Sequence, residues 1–524
     1  MDTKVLRQKV LDLAIRGKLV PQDPNDEPAS VLLERIRQQK QQMVKDGKLK
    51  AKDIKNDTII FVGEDNLHYE KFADGSVKCI EDEIPFDLPE GWAWARLNQI
   101  YNFIDYRGAT PNKISSGVPL ITAKNVKSGY IDYTIDEYIS EEEYWDRQQR
   151  GTSRLGDVLF TTEAPLGNAA IADIEKFSAG QRLITFQHYG SCVLNNHTFL
   201  YFILSDFFQD QLHTRKTGST VAGIKASILK TLLLPIPPIA EQDKIGEKCE
   251  NLLALIEEIT NSKQSIISAI PKTKAKILDL AIRGKLVPQD PNDEPASVLL
   301  ERIRAEKEEL IKQGKLKRDK KESVIFRGED NSYYEKIGDK VENISDEIPF
   351  ELPDGWMWCR GRSCFSGMES TKPQGEFFDY IDIDAIDNRL HRIKSAKHLP
   401  VPEAPSRASR AVKTGSVLFS LVRPYLENIA LVEEAHSHCI ASTGFYVCNS
   451  NGILLPKFMF LLMISSYVVS GLNQYMKGDN SPSISKDNIE SWLYPVPPLA
   501  EQKTICAKLK TVFTLIENVE KSLR

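Results

Sequence analysis

Apolar residues repeat at alternating spacings of four and three along two stretches of the chain, residues 239–270 and 499–524. This spacing is typical of a coiled-coil seam, and two related seams in one chain favour pairing with each other over packing of each helix on a globular core. Ile277 and Leu280 keep the phase beyond Pro271, so we predict that the proline kinks or splits the first helix. The seam positions are Ile245, Cys249, Leu252, Ile256, Ile259, Lys263, Ile266 and Ile270, and then Ile505, Leu509, Val512, Ile516, Val519 and Leu523.

Shorter patterns predict further elements. Asp26 and Pro28 are helix-start signals, and they predict a helix that ends near Gly47. The stretch TIIFVGEDNLHYEKF alternates apolar and polar residues around a turn, which predicts a β-hairpin. GDVLFTT and GSVLFSL predict one strand in each half of the chain.

Three pairs of matching segments show that one unit is used twice. The 27 residues LDLAIRGKLVPQDPNDEPASVLLERIR occur without change at 11–37 and 278–304. The remaining pairs are LPIPPIAEQDKI (234–245) with YPVPPLAEQKTI (494–505), and IPFDLPEGWAW (84–94) with IPFELPDGWMW (348–358).

The proline-rich segments repeat after 260 residues, whereas the opening segment repeats after 267. Placed end to end, the C-terminal and N-terminal stretches would therefore complete a second copy of the internal helix. We therefore expect the termini to meet in a closed ring with approximate two-fold symmetry. The predicted fold class is α+β, in which two mixed α/β blocks are separated by a pair of long antiparallel coiled-coil helices. The predicted domains are 1–85, 86–238, 239–349, 350–498 and 499–524.

Composition narrows the class of protein. Charged residues make up 27%, apolar residues 41%, and the net charge is −5, which is ordinary for a soluble protein. We expect a cytoplasmic chain without a membrane segment, because no apolar run approaches the roughly 18 residues of a spanning helix.

Eight cysteines are scattered singly, which suits reduced thiols. Cys359, Cys364, His436, His438 and Cys439 have the residue types of a zinc site, but the HSHC spacing is too tight for a usual finger, so we predict buried thiols and no metal.

The sequence has none of the G-x-x-x-x-G-K-[ST], H-E-x-x-H or G-x-S-x-G motifs, and none of the Asn-Pro-Pro-Tyr type that amino-methyltransferases use. We therefore predict no catalytic residue. The charge pattern is more informative: residues 386–425 contain eight lysines and arginines against two acids. Residues 105–130 contain four against one, while the acidic stretch 132–146 should face away. Such local excess suits a phosphate backbone, although a charge run is commonly just a solvated face.

At equivalent positions, Gly218 and Gly478 with small polar residues and a lysine precede a probable helix, an arrangement that can hold a phosphate or simply cap the helix. The candidate DNA-binding residues are Arg107, Lys113, Lys124, Asn125, Lys127, Arg215, Lys216, Ser219 and Thr220 in the first block, and Lys372, Arg389, Arg392, Lys394, Arg407, Arg410, Arg423, Lys477, Asn480 and Ser481 in the second.

These features together resemble the specificity subunits of type I restriction-modification systems. The resemblance covers the whole chain and rests on the Pro-Pro-x-Ala-Glu-Gln start of each seam helix, the blocks entered through LPEGWAW and LPDGWMW, and the repeated 27 residues. It implies that each block is a target recognition domain that reads one half of a split site in double-stranded DNA, while the paired helices set the spacer. At 1.5 Å per residue, the helix over 239–270 is about 48 Å long, against about 34 Å for one duplex turn.

The resemblance also implies partners. Two copies of a modification subunit would carry adenine methylation with S-adenosylmethionine, and restriction or translocase subunits would use ATP and Mg²⁺, so this chain would bind no cofactor itself. Two other hypotheses stay open: a scaffold that holds two identical partners without touching DNA, and a fused enzyme with an unrecognised motif.

Overall fold

The computed structural model describes residues 2–107, 110–190, 194–217, 222–319 and 321–523. The chain divides into two compact units, Met1–Lys263 and Gln264–Arg524. Each unit holds one copy of the 27-residue segment and one divergent block. Within the described ranges, no helix is long and apolar enough to cross a membrane.

The first unit alternates helices and short strands. Its helices are α1 (Thr3–Ile15), α2 (Ala29–Lys45), α3 (Ala51–Ile54), α4 (Leu97–Ile100), α5 (Glu141–Arg147), α6 (Asn196–Ile203), α7 (Asp206–Thr214), α8 (Ala226–Leu229) and the start of α9 (Ile239–Ile282). Its strands are β1 (Ile59–Val62), β2 (His68–Lys71), β3 (Val77–Cys79), β4 (Ala93–Arg96), β5 (Tyr101–Asp105), β6 (Val118–Ile121), β7 (Tyr138–Ile139), β8 (Val158–Thr162), β9 (Leu166–Ile171), β10 (Ser178–Ala179), β11 (Leu183–His188) and β12 (Leu233–Ile236).

The second unit has a related order after the end of α9, with fewer helices and more strands. Its helices are α10 (Ala296–Lys312), α11 (Gly361–Cys364), α12 (Pro456–Met463), α13 (Ser466–Asn473), α14 (Lys486–Ser491) and α15 (Leu499–Leu523). Its strands are β13 (Ser323–Arg327), β14 (Tyr333–Ile337), β15 (Lys340–Asn343), β16 (Met357–Arg360), β17 (Phe365–Ser366), β18 (Phe377–Ile381), β19 (Ile386–Asp387), β20 (Arg392–Ile393), β21 (Lys397–Pro400), β22 (Ala408–Ala411), β23 (Val417–Ser420), β24 (Ile429–Leu431), β25 (Ile440–Ser442), β26 (Phe445–Ser450) and β27 (Leu493–Val496).

The two units share one sheet topology although their blocks share little sequence. The four-stranded sheet has the order β5–β11–β8–β9 in the first unit and β17–β26–β23–β24 in the second. Beside it lies a sheet ordered β10–β6–β7 or β21–β18–β25–β22. Buried aromatic side chains such as Phe160, Phe186 and Phe199 pack between the first sheet and the helices. Topology is thus common to both blocks, while their surfaces are free to differ.

Several local predictions are confirmed. The helix after Pro28 runs from Ala29 to Lys45, and Gly47 follows it in a left-handed conformation with φ of +68°. The predicted hairpin is β1 and β2, and β3 adds a third strand that the pattern did not indicate. GDVLFTT and GSVLFSL form β8 and β23. Helix α9 continues through Pro271, so the predicted split does not occur.

The first turns of the long helices pack on the core of their own unit. Ile245 and Cys249 are fully buried with the aromatic cluster of the first block, and Ile505 and Leu509 are buried in the second. Ile259, further along α9, is 38% exposed. The helix-on-core alternative therefore holds at these helix starts. The antiparallel coiled coil and the ring remain predictions.

A buried carboxylate joins the shared segment of each unit to its long helix. Glu241, from the first Pro-Pro-x-Ala-Glu-Gln motif, accepts hydrogen bonds from Trp92 Nε1 at 2.9 Å and from Gln22 Nε2 at 3.1 Å. We call this arrangement the Glu–Trp–Gln joint. Its counterpart in the second unit consists of Glu501, Trp356 at 2.7 Å and Gln289 at 3.1 Å.

The glutamine that follows each of these glutamates fastens the block itself. Gln242 donates to the Pro237 carbonyl at 3.0 Å and accepts from the Asn195 amide at 3.1 Å. Gln502 likewise accepts from the Leu455 amide at 2.8 Å. The Glu-Gln pair of this motif therefore has a structural role, because both side chains are buried and occupied.

Glu501→Ala should lower the free energy of unfolding by about 1–3 kcal/mol, because it leaves the buried Trp356 Nε1–H without a partner, while the exposed Gln289 amide keeps its bond to the Gly284 carbonyl. Glu501→Gln is the matched control: it keeps a carbonyl acceptor and should cost less. Urea denaturation measures both losses, and equal losses would contradict this account of the joint.

The cost of Glu501→Gln should also depend on pH. Burial raises the pKa of Glu501 above its ordinary 4.5, and hydrogen bonds from Gln289 and Trp356 oppose this only in part. The wild-type joint is therefore fully favourable below pH 4.5 and weakens as pH rises through the raised pKa. Glutamine does not titrate, so the deficit should shrink between about pH 4 and about pH 8. A deficit that grew over this range would contradict the assigned sign.

Candidate nucleic-acid interface

Three segments of the second block meet around the loop between β23 and β24. They are residues 386–394, 421–428 and 477–484, which we call the second recognition surface. The main chain of Leu421 connects the loop to the last of these, since the Ile484 amide donates to the Leu421 carbonyl at 2.9 Å. Residues far apart in sequence thus form one surface.

The loop between β23 and β24 has an unusual backbone conformation. Arg423 and Glu427 have φ of +47° and +55°, a region that costs a non-glycine residue about 1–3 kcal/mol. The Arg423 amide donates to the Pro482 carbonyl at 2.7 Å, and Arg423 Nη2 donates to the Asn480 carbonyl at 3.0 Å. These bonds hold the bend and leave Tyr425 46% exposed at its tip.

The β19–β20 hairpin packs against this loop. Asn388 Nδ2 donates to the Leu426 carbonyl at 2.8 Å, and His391 Nε2 lies 3.9 Å from a Glu427 carboxylate oxygen. Burial lowers the pKa of His391, and the Glu427 charge opposes this. Leu390, in the hairpin turn, is 60% exposed.

This surface carries more basic than acidic side chains, although Asp387, Glu427 and Asp479 also belong to it. Its basic residues are exposed, and within the described ranges none of them forms an ion pair. Free cations of this kind can contact phosphates, and the exposed amide and hydroxyl of Asn480 and Ser481 can bond to phosphate or to base edges. The basic residues are Arg389, Arg392, Lys394, Arg423 and Lys477.

The first block has an equivalent surface, the first recognition surface, formed by residues 122–132, 162–168 and 215–224 where described. The Gly129 amide donates to the Ala169 carbonyl at 2.9 Å, which seats the first segment beside β9. Ala164 has φ of +46°, so the loop bends where Arg423 bends in the second block.

Acidic side chains form ion pairs with two arginines beside the first recognition surface. Arg107 Nη2 lies 2.6 Å from Asp105 Oδ2, and the hydrogen bonds that Arg107 donates to that carboxylate raise the pKa of Arg107. Arg182 Nε lies 2.9 Å from Glu163 Oε1. Sequence reasoning missed Arg182 and also Arg150, whose guanidinium donates to the Arg107 carbonyl at 3.0 Å. Neither arginine lies in a basic stretch, so no local signal pointed to them.

The acidic stretch 132–146 lies beside the basic stretch, so the prediction that it faces away is wrong. Glu137 lies 2.7 Å from the Lys113 ammonium, and Asp132 lies 3.7 Å from that of Lys127. The reason is the antiparallel pairing of β6 with β7, which returns this stretch beside the basic one. Lys124 stays exposed.

Asn125 does not belong to a DNA-facing surface. It is 1% exposed, and its amide bonds to Thr122 and to the carbonyls of Asp132 and Ile135 at 2.8–3.0 Å. This asparagine closes a turn, and no part of its amide is free for a base. Ser219 and Thr220, with Gly218, lie outside the described residues.

The proposed phosphate sites at helix starts are not supported. Helix α8 has four residues and α14 has six, too few for a substantial helix dipole. Ser485 already caps α14 through the Asn488 amide. Lys477 is therefore an exposed cation near a turn without a built anion pocket, whereas residues 218–221, close after Lys216, lie outside the described residues.

The other predicted residues lie in different places. Lys372 and Arg407 are exposed, and the partly buried Arg410 pairs with Ser370 at the edge strand β22. Arg215 lines an open groove of about 1280 Å³ that Lys230 also lines. Lys372, Arg407 and Arg410 lie outside the three segments of the second recognition surface, while Arg215 belongs to the last segment of the first.

The cysteines that were considered for a zinc site lie in two different places. Cys359 and Cys364 lie in the core of the second unit, and burial raises the pKa of Cys364. Cys439 lies elsewhere, beside His438 and Asp379, with donor atoms of the three within 4.8 Å of one another. The prediction of buried thiols does not account for this group of three donor side chains at Cys439.

Comparison with known proteins gives a consistent result. The chain matches the family model described as "Type I restriction modification DNA specificity domain" over residues 89–268 and 410–524, more than half of its length. It is 27% identical to the specificity subunit of the type I restriction enzyme EcoAI of Escherichia coli, over 97% of this chain and 88% of that protein. It is also 27% identical to the EcoEI specificity subunit of Escherichia coli, over 99% and 91%.

Among solved structures, the crystal structure of the HsdS subunit from Thermoanaerobacter tengcongensis is 35% identical over 33% of this chain and 46% of that one, with a TM-score of 0.32. The two ranges matched by the family model contain both Pro-Pro-x-Ala-Glu-Gln motifs. They also contain the second and third segments of each recognition surface. The chain belongs to the family of type I restriction-modification DNA specificity domains.

Proposed function

We propose that this chain is the non-catalytic DNA-reading subunit of a type I restriction-modification complex and that each block reads one half of a split site. The observation that carries the proposal is the pair of recognition surfaces. They are built from corresponding segments, and each has a residue of positive φ directly before a proline in its loop, Ala164 at +46° and Arg423 at +47°, yet they present different side chains. One scaffold with two sets of side chains suits two different base sequences.

The long helices supply the spacer in this proposal. Helix α9 has 44 residues and α15 has 25, so α9 spans about 66 Å at 1.5 Å per residue. Within the second unit, Lys274 of α9 lies 3.3 Å from Glu517 of α15. This contact supports pairing of the two helices, which would hold the recognition surfaces at a fixed separation.

The identical 27 residues suit one partner bound twice. Some of their side chains bond within the fold: Gln22 donates to Glu241 in the joint, and Asp23 Oδ1 accepts from the Asn25 amide at 3.0 Å. Their outward side chains are equally exposed in both copies, including Val31 at 42% and Val298 at 45%. We assign these outward faces to two modification subunits, which would carry S-adenosylmethionine, while restriction subunits would use ATP and Mg²⁺.

Arg389→Ala and Arg392→Ala should each weaken DNA binding by the purified complex. Each should reduce the slope of log affinity against log salt by about 0.9, because one phosphate contact and its counterion release are lost. Lys340→Ala, in the β13–β15 sheet, is the control. Filter binding at several salt concentrations measures the slope. A wild-type affinity that is negligible and insensitive to salt would favour the scaffold hypothesis instead.

A matched seven-residue insertion in α9 and α15 should lengthen the preferred spacer by about 10 Å, or about three base pairs, because each helical residue adds about 1.5 Å. The half-site sequences should not change. Mapping of methylated adenines reads both quantities at once. Sites that kept their original spacer would contradict the role of the helices as a ruler.

Val31→Glu should release one modification subunit, and the double variant with Val298→Glu should release both, because a buried charge without a partner opposes docking. Native mass spectrometry of the co-expressed complex counts the subunits. Val341→Glu changes a valine that is also 50% exposed and should leave the complex intact. A full complement of partners in the double variant would place the docking face elsewhere.

A further inference from the structure

One edge of the second block gathers oxygen, nitrogen and sulfur donors at a single point. His438 Nε2 lies 2.8 Å from Asp379 Oδ2 and 4.0 Å from Cys439 Sγ. The donor atoms of these three residues lie within 4.8 Å of one another. His398 Nδ1 bonds to the other oxygen of the same carboxylate at 2.9 Å. We name these four residues the Asp379 cluster.

Strand register creates the cluster. Asp379 of β18 and His398 of β21 are direct cross-strand partners in an antiparallel pair. On the other side of β18, Tyr380 is paired with Ile440 of β25, so Cys439 falls next to Asp379. Residues 60 positions apart in sequence are therefore held together by the sheet itself, before any ligand arrives.

The first block has apolar and aromatic residues in the places of Asp379, His398 and Cys439, and Lys176 in the place of His438. There Pro119 of β6 is the partner of Tyr138 in β7, and Leu120 is paired with Ser178 of β10, which puts Phe177 in the position of Cys439. Phe177 is 1% exposed. The shared topology therefore does not require polar residues here, and the polar set is a property of the second block alone.

We propose that the Asp379 cluster binds a zinc ion. A carboxylate oxygen, an imidazole nitrogen and a thiolate sulfur are ligands that Zn²⁺ prefers, at about 2.0–2.3 Å each, which puts neighbouring donors about 3.2–3.6 Å apart. The present separations, 2.8 Å and 4.0 Å, lie on either side of that range. Asp379, His438 and Cys439 are the ligands, and His398 is a positioning residue that fixes the carboxylate.

The location gives the ion a role that rests on the proposed function. The chain leaves β18 just after Asp379, forms the β19–β20 hairpin, and returns in β21 at His398. The cluster therefore closes the base of the segment that carries Arg389 and Arg392. An ion here would hold that hairpin in place, and its removal would loosen the reading of one half-site.

Metal content tests the site directly on the full-length chain, purified without a metal-affinity column. Elemental mass spectrometry should find about one zinc per chain. His438→Ala and Cys439→Ser should each lose it, while Cys79→Ser and His213→Ala, which change an exposed cysteine and an exposed histidine elsewhere, should keep it. His398→Ala should weaken zinc affinity about 10–100-fold.

Cobalt substitution gives a second readout that does not depend on stability. Co²⁺ added to the zinc-free chain should produce thiolate-to-cobalt absorption, and Cys439→Ser should abolish it. A chain with no zinc and no such absorption, or a Cys439→Ser variant that retains both, would overturn the site.

DNA binding separates this proposal from the proposed function. In the assembled complex, chelation should impair recognition of only the half-site assigned to the second block, and added zinc should restore it. A chain that binds zinc but no DNA would support the site and refute the proposed function. A chain that discriminates both half-sites fully while free of metal would overturn the role given to the ion.

Discussion

The interaction on which each unit depends is the buried carboxylate of the Glu–Trp–Gln joint. Glu241 holds together Gln22 and Trp92, residues 219 and 149 positions away in sequence. A buried carboxylate costs several kcal/mol unless its oxygens are bonded, and here two donors satisfy them. Glu241 lies in the first turn of α9, so its bonds tie the start of that helix to the shared segment. Glu501 does the same for α15.

This constraint explains how conserved and divergent parts coexist in one chain. The joint and the sheets fix where the loop after β8 or β23 emerges, whatever side chains it carries. The two recognition surfaces then differ in electrostatics: Asp105 and Glu163 form ion pairs with arginines beside the first, while the exposed lysines and arginines in the described part of the second form none. Two DNA sequences can be read from one backbone because contacts to bases depend on side chains and not on topology.

The edge strands of the blocks show the same tolerance. At one position of the sheet the first block buries Phe177, whereas the second assembles Asp379, His438 and Cys439. Both solutions fasten the strands that flank a surface hairpin, one by apolar contact and the other by polar groups suited to an ion. A fold held by register and by its joint can exchange the chemistry at such a place without losing its topology.

The sequence by itself determined what depends on local pattern. The end of α2, the β1–β2 hairpin, strands β8 and β23, and the twofold repeat follow from periodicity and turn residues over a few positions. Tertiary structure decided what depends on register across many residues. It buried Asn125 in a turn, placed Glu137 on Lys113, and brought His438 to Asp379. Pairing between distant strands sets these contacts, and no local pattern encodes it.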